Sequence, residues 1–139
     1  MKVLALDYGS ARTGVAVSDA TGTVARPLEV VQSASEPAGL RHIAELAARE
    51  EVDCIVVGLP LTLRGERGAQ AEEAEAFVTA LRTVTEVPIE SFDERFTTKL
   101  ALQTRRGQAK RPAVDAPPDA VAAAHLLTTY LEWKSTVRS

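Results

Sequence analysis

The sequence holds 139 residues, 45% hydrophobic and 25% charged, with 16 Lys and Arg against 19 Asp and Glu for a net charge of −3. That length fits one domain over residues 1–139, and a chain of this size buries about two-thirds of its unfolded surface, enough to fold without a disulfide or a structural metal. One cysteine, Cys54, excludes an internal disulfide and a cysteine-built zinc cluster, and two histidines, His42 and His125, are too few and too far apart for a His-built zinc site.

The N-terminal run Val3-Leu4-Ala5-Leu6 meets a carboxylate at Asp7, too soon for a signal-peptide core. No apolar stretch approaches the ~20 residues that span a bilayer. The expectation is a soluble, cytoplasmic protein with no membrane partner. Charge is unevenly spread. Residues 36–94 carry thirteen acids against five bases, whereas residues 95–111 carry Arg95, Lys99, Arg105, Arg106, Lys110 and Arg111 and no acid. A basic stretch on an acidic body is either a footprint for phosphate or an ordinary solvated face.

In chain order, Lys2–Leu6 is apolar on both faces and predicts a strand in the middle of a sheet. Tyr8–Gly14 is rich in turn residues, Val15–Val17 resumes strand character, and Asp19–Gly22 marks a second turn with Asp19 serving it. A third strand follows Pro27 through Leu28, Val30 and Val31, which makes an antiparallel meander. Pro37–Glu50 carries Leu40, Ile43, Ala44 and Ala47 at helical spacing, with His42 off the stripe at the surface. Asp53–Pro60 reads as a buried parallel strand in which Cys54 is a small core residue, and residues 61–68 as a loop. Ala71, Ala74, Phe77, Val78 and Leu81 mark a second helix, and Val87–Phe92 a short fifth strand. A helix is predicted from Thr97 to Gly107, a polar Pro-containing loop over 108–118, and a last helix over Asp119–Glu132 with Val121, Ala122, Leu127, Tyr130 and Leu131 inward. The order places the chain in the α/β class: a mixed five-stranded sheet, its first three strands antiparallel, flanked by helices.

Asp7 is the residue that least fits its surroundings, because a carboxylate closing an apolar strand is costly to bury without a partner. Asp93 and Glu94 close another predicted strand, and Asp119 opens the last helix. Ligand sites in open α/β sheets lie beyond strand ends, so these acids can converge. Carboxylates without His or Cys favour hard cations, Mg²⁺ or Mn²⁺. Each acid also has a structural role open to it. Asp93 or Glu94 can pair with Arg95, and Asp119 or Asp115 can cap a helix. The turn Gly9-Ser10-Ala11-Arg12-Thr13-Gly14 can present backbone N–H groups to a phosphate or close a hairpin, and it lacks the Gly-Lys-Ser/Thr of a Walker A loop. His125, about 240° around the helix from Asp119, reads as packing or surface.

Four blocks resemble the YqgF/RuvX family: Leu4-Ala5-Leu6-Asp7-Tyr8-Gly9-Ser10-Ala11-Arg12-Thr13-Gly14-Val15-Ala16-Val17-Ser18, Ile55-Val56-Val57-Gly58-Leu59-Pro60-Leu61, Asp93-Glu94-Arg95-Phe96-Thr97-Thr98, and Asp119 through Tyr130-Leu131-Glu132. They cover nearly the whole chain in order. The resemblance implies an RNase H-like fold and a nuclease acting in 5′-end maturation of pre-16S ribosomal RNA, with Holliday-junction resolution as a parallel activity. It implies Asp7, Glu94 and Asp119 as metal ligands for two Mg²⁺ or Mn²⁺ ions, with Asp93 and Asp115 as alternates, the latter because Lys110–Asp119 departs from the usual approach to the final Asp. Nucleic-acid contacts fall to Arg12, Arg95, Thr97, Lys99, Arg105 and Arg106. The implied partners are pre-rRNA or branched DNA and ribosomal assembly components, with a homodimer where paired sites are needed. Two rival classes remain: a non-catalytic nucleic-acid-binding module of the same fold, and an actin-like or sugar-kinase-type ATP-binding domain.

Overall fold

The computed structural model describes residues 1–59, 68–93 and 116–138. Its strands are β1 (Val3–Asp7), β2 (Arg12–Ser18), β3 (Ala25–Gln32), β4 (Cys54–Leu59) and β5 (Ile89–Asp93). Its helices are α1 (Pro37–Arg49), α2 (Ala69–Leu81) and α3 (Pro118–Arg138). They form a five-stranded sheet in the order β3-β2-β1-β4-β5. β1, β2 and β3 are antiparallel, whereas β4 runs parallel to both β1 and β5. The expected mixed sheet and opening meander are therefore present.

β1 is central, which is why it is apolar on both faces. Leu4 and Leu6 join Val15, Val17, Ile55 and Val57 in a core closed by Ile43 and Leu46 of α1 and Phe77 and Leu81 of α2. Val3 and Ala5, on the opposite face, join Ala16, Val56 and Phe92 against Ala123, Leu127 and Tyr130 of α3. Fully burying one such aliphatic or aromatic side chain stabilises the fold by about 1.5–3 kcal/mol. The period-2 alternation of β1 thus assigns its last residue, Asp7, to the α3 face.

Several boundaries and faces differ from the sequence expectation. β3 begins at Ala25, before Pro27, and Pro27 sits inside the strand opposite Ala16. Proline is tolerated there because β3 is an outer strand and the pairing slips beside it: Val15 faces Glu29 while Ala16 faces Pro27. In α1, Leu46 is buried together with Leu40, Ile43 and Ala47, while Ala44 is half-buried. His42 is at the surface as expected, where its Nε2 lies 2.7 Å from Glu29 Oε2 of β3. The five apolar positions expected of α2 are all buried.

α3 runs to Arg138 rather than Glu132, and its inward face is Ala120, Ala123, Leu126, Leu127, Tyr130 and Leu131. Val121 and Ala122 are half-buried flanks. Stretches of near-continuous Ala and Leu carry little periodicity, so here the fit to the sheet and not the pattern selects the face. Cys54 is half-buried beside the α3 core. The expected helix from Thr97, the loop over 61–68 except Gly68, and most of the loop over 108–118 lie outside the described residues.

Candidate functional site

Asp7 ends the central strand, half-buried, with Gly14 of β2 directly opposite. The link between β1 and β2 is a tight turn. A Cβ on Gly9 would stand 2.5 Å from the Arg12 carbonyl oxygen, so the residue must be glycine for the chain to fold back. Thr13 is fully buried beneath the turn, and its hydroxyl donates to the Gly9 carbonyl at 3.4 Å. Ser33 N–H donates to the Ala11 carbonyl at 3.0 Å and ties the turn to the end of β3. Tyr8 is stacked on Phe77 of α2, ring centroids 4.6 Å apart and planes 21° apart. The hairpin is therefore braced on the α2 face while Asp7 faces α3.

Asp119 comes to the same place from the far end of the chain. Val121 N–H donates to the Pro117 carbonyl at 3.0 Å, and Pro118 opens α3. Asp119 is therefore inside the first turn and is not the capping residue. Its carboxylate there sits favourably at the positive end of the helix. The Asp119 main chain rests on Gly14: a Cβ on that glycine would fall 1.8 Å from the Asp119 carbonyl oxygen. Since Gly14 is the pairing partner of Asp7, the structure brings Asp7 and Asp119 together on one sheet face. Arg12, also on this face by alternation, completes the cluster with its Nε 3.3 Å from Asp119 Oδ2. The Arg12 side chain is 62% exposed and the Asp119 side chain 38% exposed, so the pair stays solvated and exchangeable.

Asp93 does not join them. It pairs with Leu59 at the end of β5, and alternation from Ile89 in the α1/α2 core puts it on the face away from Asp7. Among the described residues, no three His, Cys, Asp or Glu side chains stand close enough to hold a metal ion. Two carboxylates with no His or Cys nearby do suit a hard divalent cation, but the set is incomplete without a further donor. Glu94 and Asp115 lie outside the described residues, as do Arg95, Thr97, Lys99, Arg105 and Arg106. Asp19 serves its turn as expected, accepting from Thr23 N–H at 2.8 Å, Val24 N–H at 3.2 Å and the Thr21 hydroxyl at 2.8 Å. The Thr23 N–H, the Thr21 hydroxyl and the Val24 N–H hold its carboxyl below the usual range.

A polar cluster that the sequence did not announce lies on the α3 face, near the start of β4. Tyr130 donates its hydroxyl to Glu90 Oε2 at 2.8 Å, and its ring meets Phe92 edge-on at a centroid distance of 5.4 Å. Burial first, then the Glu90 hydrogen bond, pushes the Tyr130 phenol well above its usual range. Burial and the Glu90 charge likewise push the Cys54 thiol up, which disfavours its thiolate form. Alternating acids such as Glu90 in a short strand look solvent-facing in sequence, so no local signal marked the pair.

A mixed sheet led by an antiparallel meander, with helices on both faces, is an RNase H-like fold. RuvC of Thermus thermophilus in complex with a Holliday junction substrate superposes with a TM-score of 0.67 at 19% identity, over 99% of this chain and 96% of that one. A second Thermus thermophilus RuvC structure matches at 0.55 and 22%, over 98% of this chain and 97% of that one. The family model described as "RuvX: Holliday junction resolvase" matches residues 1–133, and the chain belongs to this family. Relatives named "Putative pre-16S rRNA nuclease" include one from Chloroflexus aurantiacus, 42% identical over 94% of this chain and 86% of its own length. Another, from Rubrobacter xylanophilus, is 45% identical over 94% of this chain and 92% of its own. Among the described residues, no helix is long and apolar enough to cross a membrane.

Proposed function

We propose that this protein is a metal-dependent endonuclease that hydrolyses nucleic-acid phosphodiesters at the end of β1. The observation that carries the reading is the convergence of Asp7 and Asp119, 112 residues apart in sequence, through the Asp7–Gly14 pairing and the seating of α3 on Gly14. Family membership and the relatives' names support a nuclease over an actin-like or sugar-kinase-type domain.

Asp7 and Asp119 would hold a divalent cation, and Glu94 is the third ligand we favour. In β5 the even-numbered positions Glu90 and Phe92 face α3, as Asp7 does, while Asp93 faces away. Asp93 therefore lies on the wrong face of β5 for this site, and the family resemblance favours Glu94. Asp119 is preferred over Asp115 because α3 seats it opposite Asp7. Bound Mg²⁺ or Mn²⁺, in the two-ion arrangement of such sites, supplies an activated water and charge stabilisation at the leaving oxygen. The chain's own groups orient the strand: Arg12 beside Asp119, with Arg95, Lys99, Arg105, Arg106 and the Thr97 hydroxyl, would hold backbone phosphates without reading bases. An aromatic content of 4% supplies few stacking platforms, in keeping with recognition of nucleic-acid shape.

Pre-16S rRNA is the substrate suggested by the relatives' names, with its 5′ leader the part the family resemblance implies, and a four-way DNA junction the one suggested by the family description. A homodimer would supply the paired sites that a junction needs, and ribosomal assembly components would be partners in the RNA role. The test is cleavage of both labelled substrates in Mn²⁺, Mg²⁺ and EDTA, with Asp7→Asn as control. Metal-dependent cutting that falls at least a hundredfold in the variant, with binding retained, is the expected result; binding without cutting by the wild-type protein would leave a non-catalytic module instead.

A further inference from the structure

We propose that Gly14 is a positioning residue for the metal site: its missing side chain is the seat on which α3 sets the Asp119 carboxylate against Asp7. The inference rests on the metal-site reading above and adds a residue that carries no donor of its own. A Cβ at position 14 would stand 1.8 Å from the Asp119 carbonyl oxygen, 2.3 Å from its carbonyl carbon and 3.0 Å from the Ala120 nitrogen. All three are main-chain atoms of the first turn of α3, so no rotamer change can relieve the clash. Either the helix end lifts from the sheet or β2 moves. The strand is poorly placed to move, because it is hydrogen-bonded on both sides, to β1 and to β3, and Thr13, Val15, Ala16 and Val17 around Gly14 are fully buried. The helix end is the softer element, and it carries Asp119. A single methyl group at position 14 thus translates into displacement of one ligand while Asp7, fixed in β1, stays in place.

Gly39 of α1 supplies the control. A Cβ there would meet Ser33 O at 2.5 Å and Ala34 Cα at 2.7 Å, also main chain, but α1 lies on the opposite face of the sheet from Asp119. Both glycine-to-alanine variants should lose stability, and Gly14→Ala alone should lose cation affinity.

The experiment follows thermal stabilisation of the full chain by Mn²⁺ alone, without nucleic acid, for the wild type, Gly14→Ala, Gly39→Ala and Asp119→Glu. For Gly14→Ala the Mn²⁺ concentration at half-effect is expected to rise at least tenfold, while Gly39→Ala keeps the wild-type value. Asp119→Glu tests the premise that Asp119 is a ligand. It keeps the charge and the helix seat but lengthens the reach by one methylene, so it should also weaken Mn²⁺ at least tenfold with an unchanged metal-free melting temperature. Wild-type affinity in a folded Gly14→Ala protein would overturn the role of Gly14 and leave the metal site standing, as would a Gly14→Ala protein that does not fold, because the helix end would then not be the element that yields. Wild-type affinity in Asp119→Glu would overturn Asp119 as a ligand and this inference with it. No Mn²⁺ response in the wild type would overturn the metal-site reading and this inference with it.

Discussion

Replacing Arg12 with Gln separates a phosphate-binding role from a structural one. In the free protein Arg12 pairs with Asp119 at 3.3 Å, but the two side chains are 62% and 38% exposed. Solvent screening at that exposure limits the pair to about 0.5 kcal/mol or less, equivalent to less than about 2 °C in melting temperature for a domain of this size. If Arg12 instead takes a backbone phosphate when nucleic acid binds, the variant loses one counterion-releasing contact. The slope of log affinity against log salt then falls by about 0.7 for a single strand and 0.9 for a duplex, a loss of about five- to eightfold at 0.1 M salt. Fluorescence anisotropy with a labelled four-way junction and a labelled leader RNA, titrated in EDTA from about 50 to 200 mM salt, measures the slope directly. The loss should be the same for unrelated sequences, since a phosphate contact carries no base information. An unchanged slope would refute the assignment. So would a fall of more than about 5 °C in melting temperature, because it would show that Arg12 is a structural residue.

Three further outcomes follow from the packing and the hydrogen bonds. Tyr130→Phe removes the donor to Glu90 and should cost about 1.5–3 kcal/mol, as for hydrogen bonds to charged groups, seen as a fall of about 5–10 °C in calorimetry. Because the folded-state phenol titrates above its usual range, the stabilisation is complete below about pH 10 and is lost as the pH rises above the unfolded-state value; denaturant titrations from pH 8 to 11 should show a steeper decline for wild type than for Tyr130→Phe. The Asp19 carboxyl titrates below its usual range, so its contribution is present above about pH 4 and disappears as the pH falls, and Asp19→Asn should flatten the acid limb of the same stability profile. Phe77→Ala opens a cavity where a fully buried ring stacks on Tyr8, and should cost about 3–5 kcal/mol in urea denaturation.

Much of the architecture was legible before any coordinates. Among the described residues, five strands and three helices fell in the expected order because alternation and helical spacing report which faces meet the core, and α2 shows this best, with Ala71, Ala74, Phe77, Val78 and Leu81 all buried. Where one residue type dominates, the signal fades. In α3 the alanine-rich stretch made Val121 and Ala122 look inward when Ala120 and Ala123 are the buried pair. Pro27 argued for a strand that starts after it, yet the outer position of β3 and the slipped pairing beside it accommodate a residue without an N–H.

For the candidate site, the sequence by itself nominated residues by their chemistry: a carboxylate that closes an apolar strand, as Asp7 does, is costly to bury without a partner. Position was decided by tertiary structure. Whether Asp119 caps a helix or faces Asp7, whether Asp93 shares that face, and why position 14 is glycine all depend on how a helix from the end of the chain lies across a hairpin at its start. Local preference carries no record of such a contact. It is set by sheet register and close packing between segments more than a hundred residues apart, where position 14 has no room for even one methyl group.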